Sequence, residues 1–171
     1  MKRFPALTLF AATLLSVASP LLLAQATPEE MATWTKAADN KIYAQKLVNE
    51  LMAAHSELLV VGLHATKPGS KEQRMIATNL DRIGKADDDD DKAVSVEHKI
   101  ILAPNPKEAN KFEVQVWLKD ASGKQLIAAA GLVFKYKAGD SEIKILTKAL
   151  AMRDELAAKT PSFEALFETM P

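Results

Sequence analysis

The chain has 171 residues, with 22 basic and 22 acidic side chains and a formal net charge of +0. That length suffices for one domain with a real core, and the charge balance argues against a nucleic-acid binder, which carries a basic stripe. There is no cysteine, which excludes disulfides, thiolate metal sites, a Cys nucleophile and a lipoprotein anchor.

Residues 1–26 read as an export signal. Lys2 and Arg3 form a short basic region, and an apolar run through Leu7, Leu9, Phe10, Leu14 and Leu15 follows. Pro20 breaks the run, and Ala24-Gln25-Ala26 offers a small-x-small cleavage site. The alternative is an uncleaved membrane anchor, since about 20 apolar residues span a bilayer. Cleavage near Ala26 removes two cations and leaves 20 basic and 22 acidic residues. The product is then expected to be soluble and periplasmic or secreted, with residues 27–171 as a single domain.

Thr27-Pro28-Glu29-Glu30 is a helix start. Thr caps, Pro suits the first helical position, and Glu30 completes a capping box. Ala44, Leu47, Val48, Leu51 and Met52 recur at three- and four-residue spacing, and Trp34 and Ile42 extend that face. The spacing predicts one long helix over Pro28–His55, packed on a sheet.

Leu58 to Thr66 is apolar at almost every position, as in a central strand. Lys67-Pro68-Gly69-Ser70 turns the chain, and Arg74 to Leu80 returns as a partner strand. Asp81-Arg82-Ile83-Gly84-Lys85 leaves the sheet, bending at Gly84. Asp87 to Asp91 are consecutive carboxylates. They read as a solvated loop feeding a short helix, because acids favour a helix N-terminus; calcium binding is the alternative, against which stands the lack of spaced ligands and of a loop glycine. Ala93–Leu102 is ambiguous and is read as a helical turn to about Glu97, then a strand near His98–Ala103. Pro104-Asn105-Pro106 leads onward.

Phe112 to Leu118 alternates apolar and polar residues, the period of a pleated strand. Asp120-Ala121-Ser122-Gly123 is a turn. Leu126 to Phe134 is apolar at nearly every position, so both of its faces are expected to be covered. Ser141 caps a helix to about Lys159, and Thr160-Pro161 closes it before a last turn from Ser162 to Phe167.

Three stretches carry a family resemblance: Gly62-Leu63-His64-Ala65-Thr66, Asn79 to Lys85 with the Asp-rich run, and Phe112 to Gly123. With Ala149 to Leu156, Pro161-Ser162 and Leu166-Phe167, they resemble stand-alone exported members of the Cache family, the extracytoplasmic PAS-like sensor domains. The resemblance covers most of residues 41–168. It implies an α+β fold, with a five-stranded antiparallel sheet, the long N-terminal helix behind it and a C-terminal helix. The ligand side would be the opposite face, capped by the excursion between the second and third strands. Signalling relatives bind carboxylates, amino acids or amines. This chain shows no kinase or methyl-accepting module, so a signal would have to pass to a partner.

Five residues are candidates for ligand binding. His64 interrupts an apolar strand, either as a buried structural histidine or as a ligand contact. Asn79, Arg82 and Lys85 gather where the second strand ends. Arg grips a carboxylate with two parallel hydrogen bonds, unless Arg82 pairs with Asp81 or the Asp run. Trp117 shares its strand face with Glu113 and Gln115, and either walls a pocket or covers the sheet against a helix. His55 and His98 lack metal-like spacing with His64, so no metal site is expected, and no cofactor motif appears. There is no Gly-x-Ser-x-Gly elbow and no phosphate loop. The reading is therefore a non-catalytic, exported, Cache-like sensor or binding protein for a small polar molecule, anions included, acting through a membrane signalling partner or a homodimer. The alternatives are an accessory interaction subunit that uses the long helix, and a small secreted enzyme.

Overall fold

In the computed structural model, residues 26–104 and 108–171 are described. The export-signal reading falls outside them but for Ala26, as does the Asn105-Pro106 part of one connection. Among the described residues, no helix is long and apolar enough to cross a membrane.

The fold is α+β, built on one five-stranded antiparallel sheet. Its strands are β1 (Leu58–Thr66), β2 (Gln73–Thr78), β3 (Ile101–Pro104), β4 (Lys111–Lys119) and β5 (Gln125–Lys135), in the order β2-β1-β5-β4-β3. The two most apolar strands, β1 and β5, are thus interior strands of the sheet, although Ile127 of β5 is 59% exposed. β4 shows the expected alternation: Phe112, Val114, Val116 and Leu118 are buried, while Glu113, Gln115 and Trp117 are half-buried. The turn before β5 holds because the Asp120 carboxylate accepts from the Ser122 and Lys124 amides at 2.9 and 3.1 Å, with Gly123 at φ +86°.

One face of the sheet carries the core. It is covered by α2 (Tyr43–Ala54), by α4 (Glu142–Lys159), capped by the Ser141 hydroxyl, and by a 3-10 turn at Glu164–Phe167. Leu47, Val48 and Leu51 of α2 and Met152 and Leu156 of α4 pack there against Val61, Leu63, Phe112, Leu132 and Phe134. The other face is crossed by α3 (Asp89–Glu97), whose Val94 and Ser95 are fully buried. The Asp-rich run therefore feeds a short helix, as its charge pattern predicts.

The long helix over Pro28–His55 does not form. α1 spans only Pro28–Met31, capped by the Thr27 hydroxyl, and a 3-10 turn at Ala37–Asp39 precedes α2. The intervening backbone has other partners. Thr35 exchanges hydrogen bonds with Ile83 at 2.8 and 3.2 Å, and Asn40 Nδ2 donates to the Ile76 carbonyl at 2.9 Å. Thr33, Thr35, Asp39 and Asn40 are also weak helix formers, so these tertiary bonds win over the apolar spacing.

Candidate functional site

The face opposite the core holds a polar basin of about 330 Å³. Its floor is β1 and β5, through Val60, Gly62, His64, Gly131 and Val133. Its walls include Glu113 and Gln115 of β4, Arg82 and Lys85 from the segment after β2, and Asp88 and Asp91 at the start of α3. Residues i and i+2 of a strand share a face, which is why Val60, Gly62 and His64 point here while Val61, Leu63 and Ala65 enter the core.

His64 is 6% exposed. Its Nδ1 lies 2.7 Å from Asp87 Oδ1 and 3.6 Å from Asp91 Oδ2. Three separate segments make this contact. β2 is irregular opposite His64, with a register shift between Leu63 and His64, a feature that re-aims side chains. The chain then bends at Gly84, φ +100°, and runs back along β2, where the Lys85 carbonyl accepts from the Met75 amide at 3.0 Å and the Asp87 amide donates to the Gln73 carbonyl at 3.3 Å. Finally Asp88 caps α3. Its Oδ1 accepts from the Asp90 and Asp91 amides at 3.1 Å each, and Asp91 Oδ2 accepts back from the Asp88 amide at 3.3 Å. This capping box aims the Asp91 side chain towards His64.

The electrostatics follow from that burial. Desolvation disfavours the imidazolium, but the hydrogen bond to Asp87 and the charges of Asp87 and Asp91 outweigh it, so the His64 pKa is raised. Burial pushes the Asp91 carboxyl up to about 6, against the pull of His64.

The floor is open because two of its residues are glycines. A Cβ on Gly131 would lie 3.1 Å from Glu113 Oε1 and 3.9 Å from His64 Nε2; one on Gly62 would lie 3.0 Å from His64 Nε2. Gln115 Nε2 donates to Glu113 Oε1 at 3.3 Å, which leaves Gln115 Oε1 buried with no hydrogen-bond partner. Arg82 Nε is likewise buried and unpartnered.

The sequence candidates divide. His64, Arg82 and Lys85 line the basin. Asn79 does not: its Oδ1 accepts from the Val61 amide and its Nδ2 donates to the Leu59 carbonyl, both at 3.0 Å, so it ties the end of β2 to β1. Trp117 does not line it either. The Arg153 guanidinium sits over its ring at 4.6 Å and His98, which ends α3, meets it edge-on at 5.6 Å, so it is taken up by side chains that helices bring to it, the second of its two sequence readings. Asp81 accepts from the Ala37 amide at 3.0 Å, which separates it from Arg82. Glu113, Gln115 and Gly131 were missed as site residues, and Asp87 and Asp91 were weighed only within the calcium alternative for the Asp-rich run. The alternation in β4 already set Glu113 and Gln115 on one face, opposite the core, and was the signal that pointed to them.

No protein-family model matches the chain, and no curated protein matches it. Among solved structures, the repressor BlcR of Agobacterium tumefaciens matches at a TM-score of 0.45 and 14% identity, over 68% of this chain and 67% of that one. A structure described as an IclR-family transcriptional regulator from Rhodococcus sp. matches at a TM-score of 0.45 and 15% identity, over 81% of this chain and 68% of that one. These findings correct the reading of the chain as an exported Cache-like sensor, together with its signal-peptide, periplasmic and secreted attributes: the structures it resembles are those of transcriptional regulators. At this level of similarity the likeness transfers no activity, effector or cell location to this chain.

Proposed function

We propose that the chain binds, without chemistry, a small molecule that carries both a positive and a negative group, and that the basin over Gly62 and Gly131 is where it binds. The observation that carries this reading is the acceptor cradle on the floor. Gln115 Oε1 is buried without a partner beside the Glu113 carboxylate, and Gly131 leaves the space above them open. An unsatisfied buried acceptor costs about 1–3 kcal/mol, which a ligand N–H would remove. On the facing wall, Arg82 and Lys85 supply positive charge, and the unpartnered Arg82 Nε is a ready donor for an anion. A simple anion would leave the Glu113 side unserved, and a simple amine would leave the Arg82 side unserved.

The volume, about 330 Å³, falls at the small end of ligand pockets. No hydroxyl or thiol is among the described lining residues, which supports binding over nucleophilic catalysis. The PAS-like assignment belongs to the same reading. It is supported by an antiparallel sheet with helices on one face and an excursion between the second and third strands over the other.

A thermal-shift panel in the presence of chelator tests this, comparing zwitterions with simple carboxylates and simple amines. A ligand at 100 times its Kd adds about 2.7 kcal/mol to the folded state. Zwitterions are expected to raise the midpoint most, and the rise should vanish in Glu113→Gln and in Arg82→Ala. Equal shifts from carboxylates lacking an amine, or a hit indifferent to both substitutions, would refute the reading.

A further inference from the structure

We propose that His64, Asp87 and Asp91 together hold a divalent transition-metal ion at the wall of the basin. This goes beyond the small-molecule reading and stands or falls separately from it. One ligand atom from each of the three residues lies within 4.8 Å of the others, and all three residues are buried. Around a metal with bonds of about 2.1 Å, neighbouring ligand atoms sit roughly 3.0–3.5 Å apart. The distance of 3.6 Å from His64 Nδ1 to Asp91 Oδ2 lies just above that range and the 2.7 Å to Asp87 Oδ1 just below it, so a small adjustment of each brings both within it.

A plain ion pair between His64 and Asp87 leaves two features unexplained. The Asp87 side chain is 1% exposed, yet its Oδ2 is buried with no hydrogen-bond partner. A second carboxylate, Asp91, is aimed at the same imidazole nitrogen, although one imidazolium balances only one carboxylate. Buried uncompensated charge is costly. A divalent cation with a neutral imidazole and two carboxylates leaves the cluster with no net charge, and it gives Asp87 Oδ2 a place in the coordination sphere. The site is held by three parts of the fold: β1, the strip after Gly84, and the capped start of α3 into which that strip runs.

The donor set indicates the class of ion. Imidazole with carboxylates suits zinc, manganese, iron, nickel or copper, whereas calcium and magnesium take oxygen ligands. His64 and Asp91 also line the basin, so the ion's remaining positions lie within reach of what the basin binds.

The test uses the full chain without an affinity tag, freed of metal and titrated with Zn2+ and with Cu2+. One equivalent is expected to bind with micromolar or tighter affinity. The Cu2+ spectrum should show coupling to one histidine nitrogen, which selective labelling of histidine with nitrogen-15 would change. His64→Gln and Asp91→Asn should each weaken binding at least about tenfold, while His55→Gln and His98→Gln leave it unchanged. Because His64 is buried and its substitution strains the fold, Mn2+ line broadening in the unmodified protein gives a second readout: the His64 ring signals should vanish before those of His55 and His98. Binding no tighter than millimolar, retention of tight binding in folded His64→Gln, or equal broadening of all three histidines would overturn the proposal. Ligand shifts measured in chelator report on the basin alone, so either reading can fail without the other.

Discussion

At the scale of single residues, partners decide roles more than residue type does. Asn79 is a polar side chain near the basin, yet both ends of its amide are committed to the β1 backbone. Asn79→Ala removes two hydrogen bonds to backbone groups and is expected to destabilise the fold by about 1–3 kcal/mol in urea unfolding, with ligand response otherwise intact. Asp120 shows the same logic at a turn. The Ser122 hydroxyl donates to its Oδ1 at 2.6 Å, and the Lys124 and Ser122 amides add to that bond. These bonds, the Ser122 hydroxyl foremost, hold its carboxyl below the usual carboxylate range despite some burial. The sign follows: a depressed native pKa gives stability that is present above the ordinary aspartate range and is lost as pH falls through the native value. Ser122→Ala should move the Asp120 titration, followed by carboxyl NMR, up towards the ordinary value. An unchanged titration would show that the backbone amides alone suffice.

At the scale of elements, periodicity made most of the fold legible. β1, β4 and β5 fall within a residue of their sequence limits, because an unbroken apolar run and a two-residue alternation each leave one way to bury the chain. α4 was legible from its Ser141 cap. The N-terminal helix was misread for a physical reason: Trp34 and Ile42 fit the helical spacing of Leu47 and Leu51, but the spacing takes no account of the bonds between Thr35 and Ile83. The site was less legible still. His64 stood out within an apolar strand, whereas its partner Asp87 lies 23 residues away and is brought there by the bend at Gly84. Five consecutive aspartates looked alike as a solvated run, and only the capping geometry of α3 turns Asp91 inward while Asp89 stays out. Leu51, 1% exposed in the last turn of α2, should cost about 2–5 kcal/mol as Leu51→Ala, read by chemical unfolding with the slope unchanged.

At the scale of the whole molecule, the sheet separates two tasks. One face is sealed by α2 and α4 and supplies the apolar burial that holds the fold. The other keeps polar groups beneath α3, with glycines where the floor must stay open. Stability and recognition can therefore be altered independently, because substitutions on opposite faces share few contacts. Gly131 is the position where this is most exposed to test. It sits in the central strand β5, opposite Gln115 of β4. A Cβ there meets only the end of the Glu113 side chain at 3.1 Å and His64 Nε2 at 3.9 Å, so Gly131→Ala should fold with little change in stability.

The most direct measurement is a calorimetric titration of the strongest zwitterion from the panel into the unmodified chain and into Gly131→Ala. Binding through the basin requires at least about tenfold weaker affinity in the variant, with its unfolding midpoint kept. Equal affinity in the two proteins would place the ligand elsewhere and contradict the account.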